Sequence, residues 1–383
     1  MKKILVVHTK YKIKGGEDSN IWNEIEFLKK NFEVELLFFD NSSKLNIFDI
    51  ISFFTISNFK SNSIFTDKLE SFKPDFVYIH NTWFKLSLGI FKILKKNNIK
   101  TVLKIHNFRY ECGRYWLLKN HLKNNNYCPA CSKQFKKFLI FNKYYEESFL
   151  KSIFLILYSK KYFKILKNNP IKIFVLSNFH YKTLTSTGVN SKKVNLFYNP
   201  ISTVEEQVTA YNPKSNFVVY AGRLTESKGL YEMLNAWVKA DMDKLELQIF
   251  GAGDLSEILK SKFSYHNISF YDEVDNDIVL EKIKRSRAVM TATKMYEGQP
   301  RLLSEASIHG VPSIYPNFGS MPEFFPKDYP FAFKQFDYES LSRIIRLLND
   351  ENFLNKTSKI LLKHFQKLLS NENMQNQFNS GLH

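Results

Sequence analysis

The chain has 383 residues and a mass of 45.2 kDa, too long for one ordinary core and about right for two domains, and its 44% hydrophobic and 16% aromatic content can fill both. Its 55 Lys and Arg against 37 Asp and Glu leave a formal net charge of +18, which calls for an anionic partner. The basic residues are spread along the whole chain and form no zinc-finger, RNP or basic-zipper pattern, so nucleic acid is not the expected partner.

The opening "MKKILVVHTKY" joins basic residues to an apolar run shorter than a secretion-signal core and predicts a buried first strand. "YKIKGGEDSNIWNEIEFL" follows, with Gly15 and Gly16 in a turn that opens a helix and lets backbone come close to a phosphate or sugar. Strand-like "EVELLFF", "PDFVYIH", "KTVLKIH" and "IKIFVLS" then alternate with helical stretches, the pattern of a parallel sheet with helices on both faces. His80 and His106 each close one of these strands and are each followed by Asn. An odd number of cysteines, Cys112, Cys128 and Cys131, argues against a secreted disulfide framework. Residues Lys133 to Lys167 are aromatic, apolar and basic at once, which suits either a helix packed inside a domain or one lying on an anionic membrane surface. The apolar run "IFLILY" within them is far too short to span a bilayer, so the expected location is cytoplasmic or peripheral.

The polar segment "NPISTVEEQVTAYNPKSN" interrupts this alternation, and a second series begins: "FVVYAG", "LELQIFG", "NISFYDEV" and "AVMTAT". Two doubly wound α/β domains are predicted, over 1–205 and 206–365, with a C-terminal helix or tail over 366–383 able to pack back on the first. Ligands of such sheets sit beyond the carboxyl ends of the strands. There "VVYAGRLTESKGLYEMLNAW" places Gly222, Arg223 and Lys228, a fork and a point charge able to clamp a diphosphate. "YEGQPRLLSEASIHGVP" places Glu297 in a loop after a strand over residues 287–295, and Glu305 on a helix expected from Pro300 to His309. Pro300 suits the first helical position and Gly310 the residue past the end. A helix start offers free N–H groups to an anion, and carboxylates on either side can accept from sugar and ribose hydroxyls.

Together, Gly15-Gly16, Gly222-Arg223-Leu224 with Lys228-Gly229, the two glutamates with seven residues between them, and Ala306 through Pro312 resemble the retaining glycosyltransferases of family four. The resemblance covers nearly the whole chain and implies a GT-B fold, two Rossmann-like domains facing across a cleft. It implies that Arg223 and Lys228 neutralise the donor diphosphate, that Glu305 holds the ribose, and that Glu297 holds hydroxyls of the transferred sugar. The backbone of Gly298, Gln299, Pro300, Arg301 and Leu302 would face sugar and phosphates. The two cations stand in for a metal, so no cofactor is expected beyond the co-substrate, a nucleoside-diphosphate sugar, with UDP-sugar favoured.

The two His-Asn pairs resemble the subset that builds capsular or lipid-linked polysaccharides, and on that resemblance His106 sits beside the donor sugar. A further cysteine that the subset carries near residue 144 is absent from "FNKYYEES", which leaves zinc on Cys112, Cys128, Cys131 and His121 against a plain reduced-thiol loop. The implied reaction moves a hexose or amino sugar, with retention, to a saccharide or lipid-linked acceptor in bacterial surface polysaccharide synthesis, on or near the inner face of the cytoplasmic membrane. Two alternatives stand beside it: a soluble disaccharide synthase acting on a sugar phosphate, and a catalytically silent binding component of an assembly complex. The silent component predicts loss of Arg223, Lys228 or Glu297, and all three are present.

Overall fold

A computed structural model of the chain describes residues 1–10, 16–42, 57–110, 148–201 and 211–382, together with positions 48, 49, 52 and 55. Gly15, Cys112, His121, Cys128 and Cys131 lie outside the described residues, as does the 133–147 part of the basic aromatic stretch. The chain divides into two compact units, Met1–Ile201 with Met374–His383, and Ser202–Asn373.

The first unit is built on a parallel sheet ordered β2-β1-β3-β4-β5-β6, with β1 Lys3–Lys10, β2 Glu33–Asp40, β3 Phe76–Asn81, β4 Lys100–Ile105, β5 Lys172–Val175 and β6 Val194–Leu196. Strands covered on both faces read as continuous apolar runs, and Ile4, Leu5, Val6 and Val7 are wholly buried. Helices return the chain between parallel strands: α1 Gly16–Lys29, α2 Phe59–Phe72, α3 Ile90–Lys96, α4 Phe149–Asn168 and α5 Asn178–Ser186. Asn58, Ser148 and Ser177 start three of them by accepting the N–H of Ser61, Lys151 and His180.

The second unit repeats the plan with a parallel sheet ordered β12-β11-β10-β7-β8-β9. Its strands are β7 Phe217–Ala221, β8 Glu246–Phe250, β9 Ile268–Tyr271, β10 Ala288–Met290, β11 Ser313–Asn317 and β12 Ala332–Lys334. Its helices are α6 Leu230–Ala240, α7 Ser256–Lys262, α8 Asn276–Arg285, α9 Arg301–Ser307, α10 Tyr338–Arg346 and α11 Glu351–Leu368. A last helix, α12 Asn371–Leu382, sends Phe378 into the first unit's core against Phe27, Phe32, Tyr78, Phe174 and Phe197.

In each sheet the chain begins at an inner strand and builds outward in both directions. The strand order therefore reverses between β1 and β3, and again between β7 and β10. Loops leaving the carboxyl ends of such a pair diverge to opposite faces of the sheet and open a crevice between them.

Candidate functional site

The second unit's reversal point carries the glycine, lysine and glutamate loops. Gly222 leaves β7 at φ 154°, and Gly251 leaves β8 so close that a Cβ there would stand 2.2 Å from the Gly222 carbonyl. Arg223 is exposed at the start of the loop. Its carbonyl accepts from the Tyr220 hydroxyl at 3.1 Å. Burial pushes the Tyr220 hydroxyl pKa up, and the Glu297 carboxylate adds to this, so Tyr220 stays a neutral donor. A short turn, Glu226–Lys228, ends at Gly229 with φ 67°, where a Cβ would lie 2.1 Å from the Ala292 carbonyl.

That close approach brings the two loops into register. Lys294 donates its N–H to the Ser227 carbonyl at 2.9 Å, and Lys228 Nζ donates to Glu297 Oε1 at 2.6 Å. Thr293 Oγ1 also donates to Glu297 Oε1, at 3.1 Å, and Ser320 Oγ to the Glu297 carbonyl at 2.5 Å. Side-chain exposures of 19% for Lys228 and 20% for Glu297 leave both groups open to a ligand, in contact yet half-buried. One Lys228 N–H is engaged and two remain to meet an anion, while Glu297 Oε2 can accept a hydroxyl.

The segment after Glu297 differs from its sequence reading. The strand expected over 287–295 is only Ala288–Met290, and the helix runs Arg301–Ser307 rather than Pro300–His309. Pro300 is the cap, with extended ψ of 101°, and its carbonyl accepts the first helical bond from Ser304 N at 2.9 Å. At the other end, Gly310 N–H reaches Ser307 and His309 N–H reaches Ala306, tightening the last turn before Gly310 at φ 74°. Gly298, Gln299 and Pro300 are buried and Leu302 is half-buried. Glu305 is 8% exposed and holds Arg301 Nε at 2.6 Å, while Arg301 Nη2 reaches Asn276 Oδ1 at 3.0 Å. The sequence reading used only the backbone of Arg301 and missed this side-chain contact. The i,i+4 spacing of Arg301 and Glu305 was the available signal.

In the first unit the ends of β3 and β4 form a pocket lined by His80, Trp83, His106, Asn107, Arg109 and Tyr162. His80 is a buried strand residue, and its Nδ1 meets His106 Nε2 at 3.0 Å with the rings stacked at 5.3 Å. Asn81 ties its amide to the Thr9 carbonyl at 2.7 Å, and the Arg109 guanidinium sits 4.9 Å from the Trp83 ring. Burial holds the pKa of His80 and His106 well below that of a free imidazole, and the nearby Lys104 adds to the effect. Beneath them Lys104 and Glu24, both fully buried, pair at 2.8 Å, with the Tyr78 hydroxyl donating to Glu24. The sequence reading missed this group: nothing in "KTVLKIH" says that its second lysine faces inward.

Helix α4 buries Leu155, Ile156, Tyr158 and Leu166, and it exposes Phe149, Leu150 and Leu157. Among the described residues no helix is long and apolar enough to cross a membrane, and no group of three or more His, Cys, Asp or Glu could hold a metal ion.

Residues 202–364 match the family model described as glycosyl transferases group 1. An uncharacterized 41.2 kDa protein in the cps region of Klebsiella pneumoniae is 26% identical over 169 residues, 42% of this chain and 46% of that one. The amylovoran biosynthesis glycosyltransferase AmsD of Erwinia amylovora is 31% identical over 102 residues, 26% of this chain and 29% of that one. The chain thus spans less than half the length of either relative. Among solved structures, Anabaena HepE, in complex with UDP and glucose, superposes with a TM-score of 0.68 at 12% identity, covering 100% of this chain and 99% of that one. At such identity the likeness is one of fold. The two doubly wound α/β units expected from the sequence are found, each on a parallel six-stranded sheet, and the architecture is that of GT-B proteins.

Proposed function

We propose that this chain is a retaining glycosyltransferase of family four. It moves a hexose or amino sugar from a nucleoside-diphosphate sugar to a saccharide or lipid-linked saccharide in the synthesis of a bacterial surface polysaccharide. The observation that carries the reading is the Lys228–Glu297 contact at the reversal between β7 and β10, inside the stretch that matches the glycosyltransferase model. A cation and a carboxylate held side by side there suit a donor with a diphosphate next to a polyhydroxyl ring. Arg223 and Lys228 neutralise the diphosphate, Glu297 accepts from sugar hydroxyls, and Glu305 holds the ribose, steadied by Arg301. The relatives from a cps region and from amylovoran synthesis favour a polysaccharide product, and the UDP bound by HepE favours a uridine donor.

Retention is what the resemblance to family four implies. An inverting enzyme needs a general base opposite the leaving group, and the resemblance places Glu297 and His106 against the donor sugar instead. With its charge stabilised, the departing diphosphate can take the acceptor's proton on the face it leaves. The bond from C1 to the phosphate oxygen breaks, the bond from C1 to the acceptor oxygen forms on the same side, and the proton ends on the phosphate.

A panel of sugar nucleotides tests this by thermal stabilisation and by hydrolysis. One UDP-sugar is expected to stand out, and its product to show the small anomeric proton coupling of an α-gluco- or galacto-type linkage. A large coupling would overturn the mechanism. For the membrane, the exposed Phe149, Leu150 and Leu157 of α4 beside exposed Lys160 and Lys164 favour peripheral attachment to anionic lipid. Sedimentation with acidic but not neutral liposomes is the expected result.

A further inference from the structure

Strand β3 turns alternate side chains to one face, so Tyr78 and His80 lie side by side, ring centroids 4.6 Å apart. His80 is 4% exposed and has a hydrogen-bonding neighbour on one nitrogen only: Nδ1 meets His106 Nε2 at 3.0 Å. Its Nε2 is sealed from solvent and has no partner among the described residues. His106 is half-buried and lines the pocket.

Each neutral imidazole carries one hydrogen, so the contact allows two arrangements. If His106 donates from Nε2, the hydrogen of His80 must sit on its own Nε2, a buried donor with no acceptor among the described residues. If His80 donates from Nδ1, its Nε2 is a bare lone pair and the hydrogen of His106 moves to Nδ1. A buried N–H left without an acceptor is the rarer outcome.

We propose that His80 is a positioning residue that fixes His106 as the Nδ1–H tautomer, so that His106 presents a hydrogen-bond donor to the pocket. The tautomer stands on this geometry alone. Its purpose, donation to a hydroxyl oxygen of a bound sugar, rests on the function proposed above. A strand-end histidine that is free can take either tautomer, whereas this one is set by a second ring that is itself nearly buried.

The test is long-range proton–nitrogen correlation NMR of the full chain labelled with 15N-histidine at neutral pH, with His106→Gln assigning the signals. In the wild type, His106 is expected to show a protonated Nδ1 and a bare Nε2. His80→Asn, whose amide can replace Nδ1 as donor, is expected to keep that pattern. His80→Phe, which keeps an aromatic ring in the stack, is expected to lose it and to lower kcat about tenfold with KM little changed, the scale of one hydrogen bond. His80→Asn restores most of the loss. A wild-type His106 protonated on Nε2 would overturn the proposal without any variant, as would an unchanged tautomer in folded His80→Phe. The expected tautomer in a chain that transfers no sugar supports the positioning and counts against the transferase reading alone.

Discussion

Lys228 and Glu297 stand 69 positions apart in the chain and 2.6 Å apart in the fold, so each holds the other in place. Replacing Arg223 or Lys228 with Ala is expected to lower turnover about 10²–10³-fold, the usual effect of removing one preorganised group from a developing charge. Folding should survive, and wild-type rates in a soluble double variant would defeat the diphosphate clamp. The carboxylates should separate by task. Calorimetry is expected to show weakened nucleoside-diphosphate binding in Glu305→Ala, with Arg301→Ala following it because Arg301 braces that carboxylate. Glu297→Ala should bind the free nucleotide nearly as well as wild type and fail in transfer. Equal losses in both glutamate variants would contradict the assignment. Residue types and local spacing bring these positions into view in the sequence, and the resemblance to family four is what gives them roles. What spacing cannot show is contact across distance: the Lys104–Glu24 pair joins a strand to helix α1, and His80 meets His106 from the end of the neighbouring strand, contacts that depend on how the whole sheet and its helices pack.

Elements are legible where runs are long. β1 to β5 and β7 to β9 each follow an apolar run that stands out in the sequence. β6 and β12 have three residues each and sit at sheet edges, while β11 contains Pro316, which normally demotes a strand. Helix α9 ends early because its last turn tightens toward Gly310, a change that propensity alone does not signal. The turn between β7 and α6 gives the sharpest test at this scale. Gly229 needs φ 67° and also leaves no room for a Cβ beside the Ala292 carbonyl. Gly188 shares a positive φ of 91°, but the atom it would meet is the movable Lys167 ammonium. Gly229→Ala is expected to lose more than the roughly 1–2 kcal/mol of left-handed strain alone, because backbone must shift. Its melting point should fall by at least about 4 °C and by more than that of Gly188→Ala. Transfer should be lost as well, since the same displacement moves Lys228 from Glu297. Equal, small shifts would mean that the loop tolerates rearrangement.

Across the whole molecule the chain leaves the first unit after Ile201 and returns to it at Met374. Phe378 is fully buried, and Gly381 packs so closely on Phe174 that a Cβ would clash with its ring. Phe378→Ala is therefore expected to cost about 3–5 kcal/mol, read as a lower denaturant midpoint for the first unit although residue 378 lies at the far end of the sequence. The same unit should also be acid-sensitive. It contains His80, His106 and His180, whose imidazoles burial holds neutral, that of His180 down to a pKa of about 3. Each of these folded pKa values lies below the ordinary histidine value near 6.5. Between the two values the unfolded chain binds protons that the folded chain refuses. The stability these groups contribute is therefore complete above about pH 6.5 and is lost progressively as pH falls. His180 is the cleanest probe, since its ring lies against Phe108 at 4.3 Å and Tyr110 at 5.8 Å and both its nitrogens are buried without partners among the described residues. His180→Phe keeps an aromatic ring there and removes the titration. Its thermal midpoint should match or exceed wild type above pH 7 and fall less steeply between about pH 6.5 and 5, before most carboxylates titrate. Profiles that stay parallel through that window would show that the imidazole is already charged or hydrated in the folded chain, and would remove His180 from the account of acid lability.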